Sequence, residues 1–96
     1  MLILKIIESG REIIKRSRHN IISEILDICK DGASKTRIVY QANLNFRTVN
    51  PYIDLLIKNG LINVSYKNTV LYETTEKGMS LLDNFKQINN ELKDLR

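Results

Sequence analysis

A mainly α-helical domain carrying one small β-hairpin is the fold class this sequence predicts. Three observations lead there. Apolar residues recur at helical spacing over residues 21–29 and again over residues 49–57. Asp31-Gly32 and Asn59-Gly60 punctuate the chain after those two runs. Ile62, Val64 and Tyr66 then alternate with Asn63, Ser65 and Lys67 in the two-residue period of a strand. Helix, turn, helix, glycine stop and hairpin succeed one another in the order of a winged helix-turn-helix. A helix before this unit and a dimerisation helix after it complete the expectation. The segments are 1–16 for the N-terminal helical extension, 17–75 for the winged unit and 76–96 for the C-terminal helix.

Residues 3–16 place Ile3, Ile6, Ile7, Ile13 and Ile14 at near-helical spacing, with Gly10 as a weak point. A short strand over residues 2–7 is the competing reading. Lys5 and Glu8 interrupt the apolar run too early for a membrane span, and no basic region precedes it as in a secretory leader. The expected location is therefore the cytoplasm, in association with the nucleoid. Arg11, Lys15, Arg16 and Arg18 form a basic cluster that suits a DNA backbone and suits a solvated helix face equally well.

Ser17 can cap the next helix, whose buried stripe is Ile21, Ile22, Ile25, Leu26, Ile28 and Cys29. Gly32 closes it, since glycine takes the left-handed conformation at little steric cost. Ser34 caps a helix over residues 35–42, with Ile38 and Val39 turned inward and Tyr40 at the edge. Asn43-Leu44-Asn45 is the turn, with Leu44 plugging between the helices and Asn45 capping the next one. The third helix of this unit buries Val49, Tyr52, Ile53, Leu56 and Ile57. Its opposite face collects Arg47, Asn50, Pro51, Asp54 and Lys58, offsets that define one solvent-facing stripe. Pro51 leaves two possibilities open. A helix that starts at Phe46 loses the hydrogen bond to the Arg47 carbonyl and bends, whereas one that starts at Thr48 holds the proline harmlessly in its first turn.

Residues 61–67 and 70–75 are β-rich runs joined by Asn68-Thr69, which makes the wing, with Lys67 and Asn68 at its tip. Thr75 caps the last helix. Along it Leu81, Phe85, Ile88, Leu92 and Leu95 recur at the alternating spacings of a coiled-coil seam. A helix of about twenty residues extends roughly 30 Å. Its far half outruns so small a domain, so a homodimer through this seam is expected.

Composition narrows the function. The chain has 96 residues, enough for one domain, and 15 Lys/Arg against 11 Asp/Glu give a formal charge of +4. Nine of those cations but only five of the acids fall in residues 1–47. A basic half favours a polyanion, because each cation on a phosphate releases condensed counterions. One cysteine excludes an internal disulfide, and Cys29 falls on an apolar helix face as a buried thiol does. His19 is also single, and the two do not compose a metal site. No paired acid and base or activated nucleophile emerges, so neither catalysis, nor a cofactor, nor a small-molecule effector is expected.

Duplex DNA is the expected partner. Ser34, Lys35, Thr36 and Arg37 begin a helix whose hydroxyl, amides and dipole suit phosphate. Asn45, Arg47, Thr48 and Asn50 lie at the start of the reading helix. Arg47 suits guanine, but a further phosphate contact is the favoured reading for it. Asn50 suits adenine, or a cap or turn imposed by Pro51. Lys67 and Asn68 steady the wing on the backbone. A sequence-selective transcriptional regulator ranks slightly ahead of an architectural DNA-binding protein, because the modest charge suits few phosphate contacts. A winged helix used only for protein contacts ranks behind both, since the exposed face of the third helix carries Arg47, Asn50 and Lys58 against Asp54 alone.

Several of these residues also carry a family likeness. Lys35-Thr36, Tyr40-x-Ala42-Asn43-Leu44, Tyr52, Leu55-Leu56, Gly60-Leu61-Ile62 and Tyr72-x-Thr74-Thr75-Glu76-Lys77-Gly78 resemble an archaeal winged-helix family. That family includes the ten-kilodalton archaeal chromatin proteins. The likeness spans about residues 18–96, and its most specific stretch is KTRIVYQANL, which joins helix, turn and next helix. It implies DNA binding by a homodimer held by an antiparallel coiled coil of the last helices. It also implies that Arg47, Thr48 and Asn50 occupy the exposed start of the recognition helix.

Overall fold

The computed structural model describes residues 17–94, as four helices and one two-stranded antiparallel hairpin. The expectations for residues 1–16, and for Leu95, fall outside those residues. The helices are α1 (Arg18–Ile28), α2 (Lys35–Ala42), α3 (Phe46–Lys58) and α4 (Glu76–Asp94), and the strands β1 (Ile62–Ser65) and β2 (Leu71–Thr74) lie between α3 and α4.

The starts of α1, α2 and α3 are fixed by the three cap residues legible in the sequence. Ser17 Oγ accepts the Asn20 amide at 3.1 Å, Ser34 Oγ the Arg37 amide at 3.1 Å, and Asn45 Oδ1 the Thr48 amide at 2.8 Å. Each satisfies one of the donors that a helix leaves unpaired at its first turn. Between α2 and α3, Asn43 takes the left-handed conformation (φ 55°), which asparagine tolerates better than other side chains bearing a Cβ. Gly32 and Gly60 have φ of 91° and 72° and turn the chain after α1 and α3.

The core is one cluster. Ile25, Leu26 and Cys29 of the first helical segment meet Ile38 of α2, Val49, Ile53 and Leu56 of α3, Ile62 of β1 and Leu82 of α4. Burial pushes the Cys29 thiol up to about 12, against a small opposing effect of the Arg37 charge. Thr74 is a buried polar residue, and its hydroxyl donates to the Leu26 carbonyl at 2.7 Å while its amide donates to the Cys29 carbonyl at 3.0 Å. The end of α1 is thereby tied to β2 through carbonyls that the helix itself cannot satisfy. On the surface Asp27 of α1 meets Lys86 of α4 at 3.5 Å and Lys30 at 3.4 Å.

Three sequence expectations are corrected by the fold. Ile57 is not buried; it is 36% exposed on the flank of α3, because Ile53 and Leu56 already fill the inward positions. The wing is not closed by a two-residue Asn68-Thr69 turn. Its last paired residues are Ser65 and Leu71, so residues 66–70 form the loop and Tyr66 projects outward instead of continuing the buried alternation. Finally, α4 anchors through Leu82, which lies off the coiled-coil spacing. Leu82 comes four residues after Gly78, whose missing side chain lets the helix settle against the Leu61 carbonyl. A pairing with no local sequence signal joins Ala33 to Tyr72, which exchange two hydrogen bonds at 3.0 and 2.8 Å and lend the wing a third edge.

Candidate nucleic-acid interface

Of the two starts open to α3, the chain takes the earlier one. The Thr48 and Val49 amides both reach the Asn45 carbonyl, at 3.2 and 3.0 Å, and α3 runs through Pro51 without a break. Proline has no N–H, so the Arg47 carbonyl lacks its ordinary helical donor. That carbonyl belongs to the exposed first turn, where water or a ligand donor can reach it.

Arg47, Asn50, Pro51, Asp54 and Lys58 are all exposed, as one stripe along α3. Beneath them Val49, Ile53 and Leu56 are buried, so the stripe sits on a rigid support. Thr48 is half-buried. Asn45 is exposed, but its side chain is already committed to capping the Thr48 amide. Phe46 stands half open to solvent beside Arg47.

The start of α2 forms a second group. Ser34 is half-buried with its hydroxyl accepting the Arg37 amide, so what it presents outward is chiefly the helix start. Thr36 and Arg37 are exposed. Arg37 Nη1 donates to the Gly32 carbonyl at 3.3 Å, which holds the guanidinium at the turn and leaves its other N–H groups outward. The Lys35 ammonium lies 5.7 Å from the centre of the Tyr72 ring, a cation–π arrangement that fixes the charge against β2. Lys67 and Asn68 are exposed in the wing loop. Tyr40, expected at the edge of α2, stands far more open than that: it is 85% exposed, one turn after Arg37 on the same face. Its hydroxyl is open to solvent and can donate a hydrogen bond to a ligand oxygen. The lack of any apolar neighbour at i±3 on that face is the sequence signal that marks it.

The seam of α4 divides in two. Leu81 is partly buried against the core, and Phe85 packs on His19 of α1 with ring centres 5.8 Å apart. Ile88 and Leu92 are 54% and 55% exposed and line an open groove with Asn89, His19 and Phe85. Among the described residues no group of three or more His, Cys, Asp or Glu lies close enough to hold a metal ion, and no described helix is long and apolar enough to cross a membrane.

A family model described as winged helix-turn-helix matches residues 15–93. The chain belongs to that winged helix-turn-helix family. It is 50% identical over 68 residues to an uncharacterized protein, MJ0287, of Methanocaldococcus jannaschii, covering 70% of this chain and 67% of that one. A second uncharacterized protein of the same organism, MJ0290, is 37% identical over 76 residues, covering 78% of this chain but only 35% of its own length. Among solved structures it is similar to Sso10a-2, a DNA-binding protein from Sulfolobus solfataricus. That match has a TM-score of 0.76 and 31% identity, over 83% of this chain and 85% of the other. The archaeal winged-helix likeness carried by the KTRIVYQANL stretch is thus upheld, and so is the mainly helical winged architecture.

Proposed function

We propose that this winged helix-turn-helix protein binds duplex DNA as a homodimer and acts as a sequence-selective transcriptional regulator. The observation that carries the reading is the exposed stripe of α3. Arg47 and Asn50 stand at the helix start, capped by Asn45 and backed by buried Val49 and Ile53. That is where a recognition helix places its base contacts. The DNA-binding character of the similar Sso10a-2 supports it.

Function derives from a division of roles, phosphate contacts positioning the protein and base contacts specifying the site. Lys35, Arg37 and the start of α2 engage phosphate and set the register, with Tyr40 adding a hydroxyl donor. Arg47 and Asn50 face the major groove, Arg47 reaching the phosphate at its edge or a guanine and Asn50 an adenine, where a bidentate base contact discriminates by about 1–3 kcal/mol. Lys67 and Asn68 hold the wing on the backbone. Ile88 and Leu92 lie where α4 has left its own core, and a second copy burying them sets two recognition helices at a fixed separation. No chemical step, cofactor or small ligand enters this scheme, which operates in the cytoplasm on the nucleoid.

An architectural role is the second reading, favoured by the apolar exposure of the wing loop, where Tyr66 and Val70 stand open to solvent. The two are separated by titrating a random genomic duplex and the protein's own promoter across a salt series. Tighter promoter binding that survives raised salt supports a regulator, whereas equal and steeply salt-dependent binding to both supports an architectural protein.

A further inference from the structure

We propose that the wing tip is an apolar wedge that enters the minor groove of duplex DNA, with Tyr66 as the side chain that stacks on an opened base step. The inference rests on the DNA-binding reading and adds to it a deformation of the duplex.

Hairpin loops ordinarily consist of glycine and small polar residues, for conformational reasons. Here the polar turn residues are Asn68 and Thr69, yet Tyr66 is 75% exposed and Val70 and Leu71 are exposed beside them. Single exposed apolar residues are unremarkable on a protein surface, but Tyr66 and Val70 stand together at the two ends of one short protruding loop. Strand pairing stops at Ser65 and Leu71, so the loop extends past the last pair by roughly two residues, or about 7 Å. Among the described residues nothing covers it, and Ile62, Tyr72 and Thr74 commit the wing's inner face to the core.

Charge decides which partner suits this apolar end. Lys67 lies within it. At its foot the Lys35 ammonium rests over Tyr72, and Arg37 is held on the Gly32 carbonyl, next to which the Leu71 side chain packs. Residues 66–71 contain no carboxylate, and Glu73 is the nearest acid along the strand. An apolar tip bordered by cations matches a partner with a charged exterior and an apolar, stacked interior. Duplex DNA has that build, and minor-groove proteins exploit it by pushing apolar side chains between base pairs and kinking the helix. A tyrosine ring supplies a flat face for stacking on a base.

The test uses the full-length protein on short duplexes carrying 2-aminopurine at TA and CA steps, which unstack most readily, with donor and acceptor dyes at the ends. Anisotropy establishes saturation first. The wild type is expected to raise 2-aminopurine fluorescence several-fold in at least one duplex and to shorten the end-to-end distance. Tyr66→Ala weakens binding by about tenfold, as for the loss of one stacked aromatic, and at saturation abolishes both signals. Tyr66→Phe retains them. Saturated wild-type complexes with neither unstacking nor shortening would overturn the wedge while leaving DNA binding intact, and so would a Tyr66→Ala protein indistinguishable from wild type. Absence of any anisotropy change at low salt would overturn the DNA reading, and the wedge with it.

Discussion

Gly78 lies in the first turn of α4, and replacing it with alanine sets two physical effects against each other. In an isolated helix alanine is the better residue by about 1 kcal/mol. In this fold an added Cβ would come within 2.6 Å of Thr74 Cγ2 and closer still to the carbonyl oxygen of Leu61. Neither neighbour can yield cheaply. The Leu61 oxygen accepts the Thr75 amide at 3.0 Å, and Thr74 is pinned by its 2.7 Å bond to Leu26. Relief therefore requires α4 to lift, which withdraws Leu82 from the core and strains the cap in which Thr75 Oγ1 accepts the Gly78 amide and donates to the Gly60 carbonyl. Overpacking of this kind costs about 1–3 kcal/mol, and losing the Thr75 bond about 1 more. After the propensity gain is subtracted, Gly78→Ala should destabilise by roughly 1–3 kcal/mol. A urea melt at fixed protein concentration, which keeps any dimer linkage constant, should show a midpoint lower by roughly 0.5 M or more. A raised midpoint would mean that intrinsic propensity wins and that α4 does not sit on Leu61 as described.

Other expectations arise from the same contacts. Thr74→Val keeps the shape but leaves the Leu26 carbonyl without its side-chain donor, and should cost about 1–2 kcal/mol in the same melt. Replacing Ile88 and Leu92 together with Glu should give monomers by analytical ultracentrifugation without unfolding the domain, because both side chains are already exposed in one copy; a persistent dimer would move the interface elsewhere. Cys29 gives a pH signature. Its thiol is held neutral up to about pH 12 in the folded chain, whereas the unfolded thiol ionises near 9.0. Its contribution is thus fully present below pH 9 and is lost as the pH rises from there, at roughly 1.4 kcal/mol per pH unit. Between about pH 9 and pH 10.5 the wild type should lose stability faster than Cys29→Ala, and parallel curves would contradict a buried thiol.

The helix-turn-helix is legible in the sequence because its signals are local. Ser17, Ser34 and Asn45 each act on an amide three residues away, and a cap can be recognised without knowing what the helix packs against. The exposed stripe of α3 is legible for the same reason, since helical periodicity alone separates Arg47 and Asn50 from Val49 and Ile53. Long-range features are not. The pairing of Ala33 with Tyr72 joins segments far apart in sequence, and nothing in Ala33 itself signals a strand. Leu82 is hidden because the alternating spacing runs through Leu81 and Phe85, while the residue that positions Leu82 is a glycine, whose role is the absence of a side chain. Tyr66 continues an apolar alternation whose pairing in fact ends one residue before it. Strand period fixes which face a residue is on, but not where pairing stops.

The central claim is that the exposed start of α3 is the DNA-reading surface. Its most direct test is a fluorescence-anisotropy titration of one duplex with wild type and Arg47→Ala across a salt series, after ultracentrifugation has shown both in the same oligomeric state. Wild type should bind at low salt, with log affinity falling linearly in log salt. Arg47→Ala should bind about tenfold or more weakly, and if its contact is to phosphate the salt slope should fall by about one. Equal affinity of the two proteins at low salt would contradict the assignment of α3 as the recognition helix.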